Sequence, residues 1–209
     1  MYIKESLHPY IHRMSFYHLF GKCFYYSPLH LNWTYLLEYD ALQLKLEGLG
    51  EGGRKLRHYI QAFQDKSKEE RSRIVQLEHQ EYLRLFHGMD PIAAPRESFY
   101  RAESPLVLEE CYKNYGYIPD PKYPDHISLE LDFLSFMTYH YLELGQNEKY
   151  RNAVLFFSEN HLLKWAPEFA EEVYFQTNSP FYKAISLLFL NFLSDEKEFV
   201  LSEKEITLN

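Results

Sequence analysis

Residues 125–144 run for about 20 positions without a glycine or proline. Ile127, Leu129, Leu131 and Phe133 alternate as a strand would, but strands are usually 5–6 residues long and this run continues far beyond that. At the helical period Ser128, Asp132, Ser135, Tyr139 and Glu143 fall on one narrow polar face, and mostly apolar side chains cover the rest. The run therefore predicts a mostly buried helix, which needs other helices around it.

The breakers supply them. Helices are expected over 10–26, ended by Ser27-Pro28, and over 32–47 with Asn32 as N-cap. The glycine-rich run 48–53 reads as a turn. Helices over 54–64 and from about 66 to Phe86 follow, stopped by Gly88. A long irregular stretch, 89–103, contains Pro91 and Pro95 and reads as a central hinge loop. Ser104-Pro105 opens a helix that ends near Tyr115-Gly116. Asp125 is the expected N-cap of the long buried helix, and Gly145 and Asn147 turn the chain into the next one. Pro167 is expected to break and restart a helix. Ser179-Pro180 opens a last helix through Leu193, with a charged, fraying tail from Ser194. The expectation is an all-α, bundle-like single domain, 1–209, of nine or ten helices. Its halves would be 1–88 and 104–209, joined by the loop.

Composition narrows the function classes. A chain that is 46% hydrophobic, with 19 Tyr and 16 Phe, buries a core. A formal net charge of −8 disfavours nucleic-acid binding by phosphate neutralisation and suits a cationic partner. Cys23 and Cys111 form no disulfide framework or zinc quartet. The apolar run 186–193 is too short to span a bilayer, and Lys4, Glu5, His8 and Pro9 occupy the place of a signal peptide's apolar core. These features read as a soluble, cytoplasmic chain with no membrane insertion.

The motifs for chemistry are sparse. The glycine run follows a helix rather than a strand, which denies it dinucleotide geometry. His8 and His12 are four apart but flank Pro9. The informative spacing is Asp125-His126 with Glu130: the last two lie one turn apart within the apolar arc, where a carboxylate needs a partner or a wet cavity. One reading is a helix cap with a satisfied buried pair. Another is a polar patch lining a groove that receives an arginine. A metal-dependent hydrolase using Asp125 and His126, and a non-redox helical adaptor, are the alternatives from other classes.

Three segments carry a resemblance. Glu81-Tyr82-Leu83-Arg84-Leu85-Phe86-His87-Gly88 is followed by Pro95, Ser98 and Tyr100. Pro124-Asp125-His126-Ile127 precedes Glu130-Leu131-Asp132-Phe133. His161-Leu162-Leu163-Lys164-Trp165-Ala166-Pro167-Glu168-Phe169 is the third. In order and spacing they resemble the TorD/DmsD/NarJ family of redox-enzyme maturation chaperones. One departure is Lys122-Tyr123, where the family signature has Glu-Pro.

The resemblance implies a non-enzymatic, all-helical cytoplasmic chaperone. It would bind a molybdoenzyme catalytic subunit or its twin-arginine leader until the cofactor is inserted. It implies no required cofactor, with weak guanine nucleotide or molybdopterin binding in some members, and a monomer or a domain-swapped dimer. The client-binding residues it points to are Asp125, His126, Glu130, Tyr82, Phe86, Pro95, Ser98, Tyr100 and Trp165.

Overall fold

A computed structural model describes residues 8–25, 50–88, 90–102, 105–118 and 123–208. They form eight α-helices: α1 (His8–Tyr25), α2 (Gly50–Gln64), α3 (Lys68–Phe86), α4 (Pro105–Asn114), α5 (Ile127–Glu143), α6 (Glu148–Phe157), α7 (Leu163–Gln176) and α8 (Pro180–Leu208). Among the described residues there is no strand, only one isolated antiparallel bridge between Arg96 and His126. The chain is all-α as expected. The helix expected over 32–47 and the Ser27-Pro28 stop lie outside the described residues.

Two compact units are built from interleaved segments. Unit 1 is Met1–Gly21, Arg96–Ala166 and Leu193–Asn209; unit 2 is Lys22–Pro95 and Pro167–Phe192. The expected halves 1–88 and 104–209 follow a different division.

Unit 1 is organised by α5. Ile127, Leu131, Phe133, Leu134 and Met137 are fully buried, while Asp132, Tyr139 and Glu143 are exposed, as the helical period requires. Ser128, expected on the polar face, is buried. Phe133 packs against Phe157 of α6 and Tyr112 of α4 at ring distances of 4.8 and 4.9 Å.

The tail after Ser194 does not fray: α8 continues to Leu208. The reason is Glu196, fully buried, whose carboxylate accepts from Arg13 Nε at 2.9 Å, Tyr17 Oη at 2.6 Å and Ser158 Oγ at 2.8 Å. Arg151 similarly binds the Glu203 carboxylate and backbone carbonyl. The charges that read as solvated are the donors and acceptors of buried pairs.

Pro167 does not break a helix either, since α7 runs through it. The irregularity lies upstream, where Ser158–Leu162 forms a widened π-turn.

In unit 2, α3 begins with a reciprocal capping box between Ser67 and Glu70 and ends before Gly88, whose φ is +116°. Of the run 48–53, residues 50–53 are not a turn but the first residues of α2, and 48 and 49 lie outside the described residues. A Cβ on Gly52 would sit 2.3 Å from the Leu188 backbone nitrogen and 2.6 Å from its Cα. Glycine serves here for close approach of α2 to α8, a role that periodicity does not reveal.

Replacing Gly52 with alanine is expected to lower stability by about 3 kcal/mol, because backbone rather than a flexible side chain must move. Gly145→Ala, at φ +70° in open space, should cost only about 1 kcal/mol. Urea unfolding of both variants checks this; equal losses would contradict it.

Candidate functional site

Glu97, Asp125 and Glu130 form a cluster of buried carboxylates in unit 1. The chain crosses it twice. Arg96 bridges to His126, and the Glu97 amide donates to the Asp125 carbonyl at 2.9 Å. A single 3₁₀ turn, Glu97–Phe99, follows. Within the 89–103 stretch, described residues are tied by backbone bonds, including Ala93 N to Leu85 O at 2.9 Å within unit 2.

Asp125 is not the N-cap of α5. That position is held by His126, whose Nδ1 accepts from the Ser128 amide at 3.2 Å. Asp125 turns the other way. Its Oδ1 accepts from Arg96 Nε at 3.1 Å and its Oδ2 from the Ser98 amide at 3.2 Å. Burial decides the difference: Asp125 is 1% exposed, and a carboxylate taken out of water needs a cation more than a helix terminus needs a cap. The Arg96 guanidinium also lies over the ring of Tyr123 at 4.6 Å and that of Phe99 at 5.9 Å.

Two further acids complete the cluster. Glu97 pairs with Arg101 one turn on and lies 3.3 Å from His161 Nδ1. Arg101 in turn donates to the Asn160 carbonyl at 2.8 Å. Glu130, fully buried, accepts from Trp165 Nε1 at 3.2 Å, and its Oε1 has no hydrogen-bond partner among the described residues. Burial first, then the negative charge of Glu97, pushes the Glu130 carboxyl well above the usual carboxylate range, and the Trp165 bond opposes this only in part. Arg96 and Arg101 serve two acids directly. The third has no cation in direct contact among the described residues, which favours its protonated form.

The sequence-predicted residues thus divide. Asp125, His126, Glu130, Ser98, Tyr100 and Trp165 come together in unit 1, with the Tyr100 ring stacked on Trp165 at 5.4 Å. Tyr82, Phe86 and Pro95 are buried in unit 2. There Phe86 contacts Tyr82, Phe169 and Tyr182, and the Tyr82 hydroxyl donates to the Tyr25 carbonyl at 2.7 Å. Sequence reasoning missed Arg96, Glu97, Arg101 and His161 as site residues. The Glu97/Arg101 spacing of four was a readable signal, and His161 was already within the third motif.

This arrangement also bears on the other chemistries weighed. Asp125 and His126 are engaged by Arg96, Ser98 and Ser128. No group of three potential metal ligands occurs among the described residues. Gly50, Gly52 and Gly53 are helical, at the start of α2.

A family model described as nitrate reductase delta subunit matches residues 46–171. The chain belongs to this family. It is 30% identical over 137 residues to the chaperone protein TorD of Vibrio parahaemolyticus, covering 59% of this chain and 64% of that protein. It is 35% identical over 132 residues to the chaperone protein TorD of Aliivibrio fischeri, covering 56% and 61%. The matches thus span somewhat under two thirds of those relatives' length. They bear out the resemblance to the TorD/NarJ chaperones, and all three resembling segments lie inside the family match.

Within this family member, the raised Glu130 carboxyl makes stability depend on pH. The folded state keeps a proton that the unfolded chain releases near pH 4.3. Above that point the folded state binds more protons, so stability falls as pH rises, by up to about 1.4 kcal/mol per pH unit until Glu130 itself ionises. Glu130→Gln removes this loss. Urea unfolding should show the variant gaining on wild type between pH 5 and pH 7, by about 1–2 kcal/mol. Parallel profiles would show that Glu130 is ionised in the fold.

Proposed function

We propose that this chain is a chaperone for the maturation of a molybdenum-containing oxidoreductase. It acts in the cytoplasm without a reaction of its own and engages the twin-arginine leader or apo-enzyme until the cofactor is in place. The observation that carries this reading is the family match over residues 46–171, together with two relatives named as TorD chaperones at 30 and 35% identity.

The site supports a division of labour. Asp125, Glu130 and Trp165 are buried and hold the segment in shape. Phe99, 57% exposed, and Tyr123, 42% exposed, flank Arg96 at the surface, with Ser98, Tyr100 and His126 partly exposed beside them. Exposed rings over an ordered charged base are suited to an apolar client segment. A leader arginine would reach Asp125 only by replacing Arg96, so the reading places the client against the rings rather than on that carboxylate.

Co-expression with the molybdoenzyme encoded nearest the chain is expected to raise that enzyme's molybdenum content and activity several-fold and to yield a copurifying complex. The double variant Phe99→Ala/Tyr123→Ala, changed only at exposed rings, should weaken that complex about tenfold, the effect of removing about 1.4 kcal/mol. Unchanged molybdenum loading and no copurification would contradict the reading. Intact capture by the double variant would move the client elsewhere.

A further inference from the structure

The arginines of unit 1 are used very differently. Arg151 spends Nε, Nη1 and Nη2 on Glu203 and Glu148. Arg101 donates through Nη1 to both the Glu97 carboxylate and the Asn160 carbonyl. Arg96 donates only through Nε, to Asp125 Oδ1 at 3.1 Å, and its side chain makes no other hydrogen bond among the described residues. A guanidinium carries five N–H donors, so four are left over. The Arg96 side chain is 29% exposed and that of Asp125 only 2%. The ion pair therefore has a closed acidic side and an open basic side.

The guanidinium is nevertheless fixed. Asp125, itself held by the Ser98 amide, fixes its Nε. Its carbon lies 4.6 Å from the centre of the Tyr123 ring and 5.9 Å from that of Phe99. With Nε spent, what remains is the edge formed by Nη1 and Nη2, whose parallel N–H groups match the two oxygens of a carboxylate. A carboxylate there need not displace Asp125. The rings beside it keep water from part of the group, which strengthens a charge-assisted bond.

A net charge of −8 opposes an acidic ligand at long range. Screening over about 8 Å at physiological ionic strength removes most of that repulsion, whereas the pairing here is a direct contact. Phe99 and Tyr123 are both exposed and both touch the one guanidinium. They offer two apolar footholds, which suits an acid with apolar residues before and after it in a chain. We infer that Arg96 is the receptor for an acidic side chain, Asp or Glu inside an apolar segment, of a polypeptide that this chain binds. Asp125 orients the guanidinium, and Phe99 and Tyr123 take the flanking apolar residues. The inference rests on the chaperone reading only for the origin of that segment, a client protein.

The test titrates the full chain calorimetrically with three synthetic probes. They are acetyl-Ser-Leu-Leu-Glu-Leu-Ala-Ser-amide, the same peptide with glutamine for glutamate, and the glutamine peptide with a free C-terminal carboxylate. Wild type should bind the glutamate peptide at least tenfold more tightly than either of the others. Arg96→Lys keeps a cation for Asp125 and loses the paired edge; it should bring the glutamate peptide down to the level of the glutamine peptide. Phe99→Ala should weaken the glutamate and glutamine peptides by the same several-fold factor. Equal binding of the glutamate and glutamine peptides to wild type, no binding of either, or full discrimination in Arg96→Lys overturns the assignment. A free-carboxylate peptide that binds as tightly as the glutamate peptide overturns the choice of an internal acid. The wild-type comparison holds whatever the stability of the variants. Client copurification reports separately: if it persists while wild type ignores the glutamate, the receptor falls and the chaperone reading stands, and if it fails while the glutamate is recognised, the reverse holds.

Discussion

The segment that precedes α5 is ordered by three carboxylates that sit where water does not reach. Glu97, Asp125 and Glu130 are each at most 2% exposed. An ionised acid so placed must be met by a cation or several donors, or it must take a proton. Each outcome occurs once or more. Asp125 takes Arg96 and a backbone amide, Glu97 takes Arg101 beside His161, and burial pushes the Glu130 carboxyl towards its neutral form against an indole N–H. These choices fix the 3₁₀ turn, draw residues 96 and 126 into a bridge and position the π-turn that carries His161. The remaining geometry of the segment follows from satisfying these acids.

Much of the fold was legible where periodicity was long and the breakers were unambiguous. α5 was recoverable because 17 residues of amphipathic pattern outweigh a short alternating stretch. The Ser67, Asn147 and Pro105 starts obey local capping rules that need no tertiary knowledge. The misreadings came from features whose meaning depends on what lies far away in sequence. Glycines 50–53 read as a turn until Leu188 is seen against Gly52. The tail of α8 read as solvated until Arg13 and Tyr17 are found on Glu196, more than 170 residues apart in sequence.

The candidate site shows the same split. Asp125, His126 and Glu130 were singled out by type and spacing, and the structure gathers them with Ser98, Tyr100 and Trp165. Their roles were not legible. A capping assignment for Asp125 is what local sequence supports, and only the position of Arg96 reverses it. Tyr82 and Phe86 carry part of the family resemblance yet pack in a core. A motif that identifies the family marks residues needed for folding as readily as residues that touch a partner. The exposed Asp132 was read only as part of a polar stripe, because the bond it accepts from the Tyr117 hydroxyl, 15 residues away in sequence, is a property of the assembled fold.

The claim that the acids order the segment is tested most directly by a double-mutant cycle on Arg96 and Asp125, using Arg96→Met and Asp125→Asn with stability measured by urea unfolding. Each single change should cost about 3 kcal/mol, because each strands a buried partner. The double variant should cost clearly less than the sum, with a coupling of about 2 kcal/mol or more. Additivity within about 0.5 kcal/mol would mean that the pair does not organise the segment, and would contradict the account.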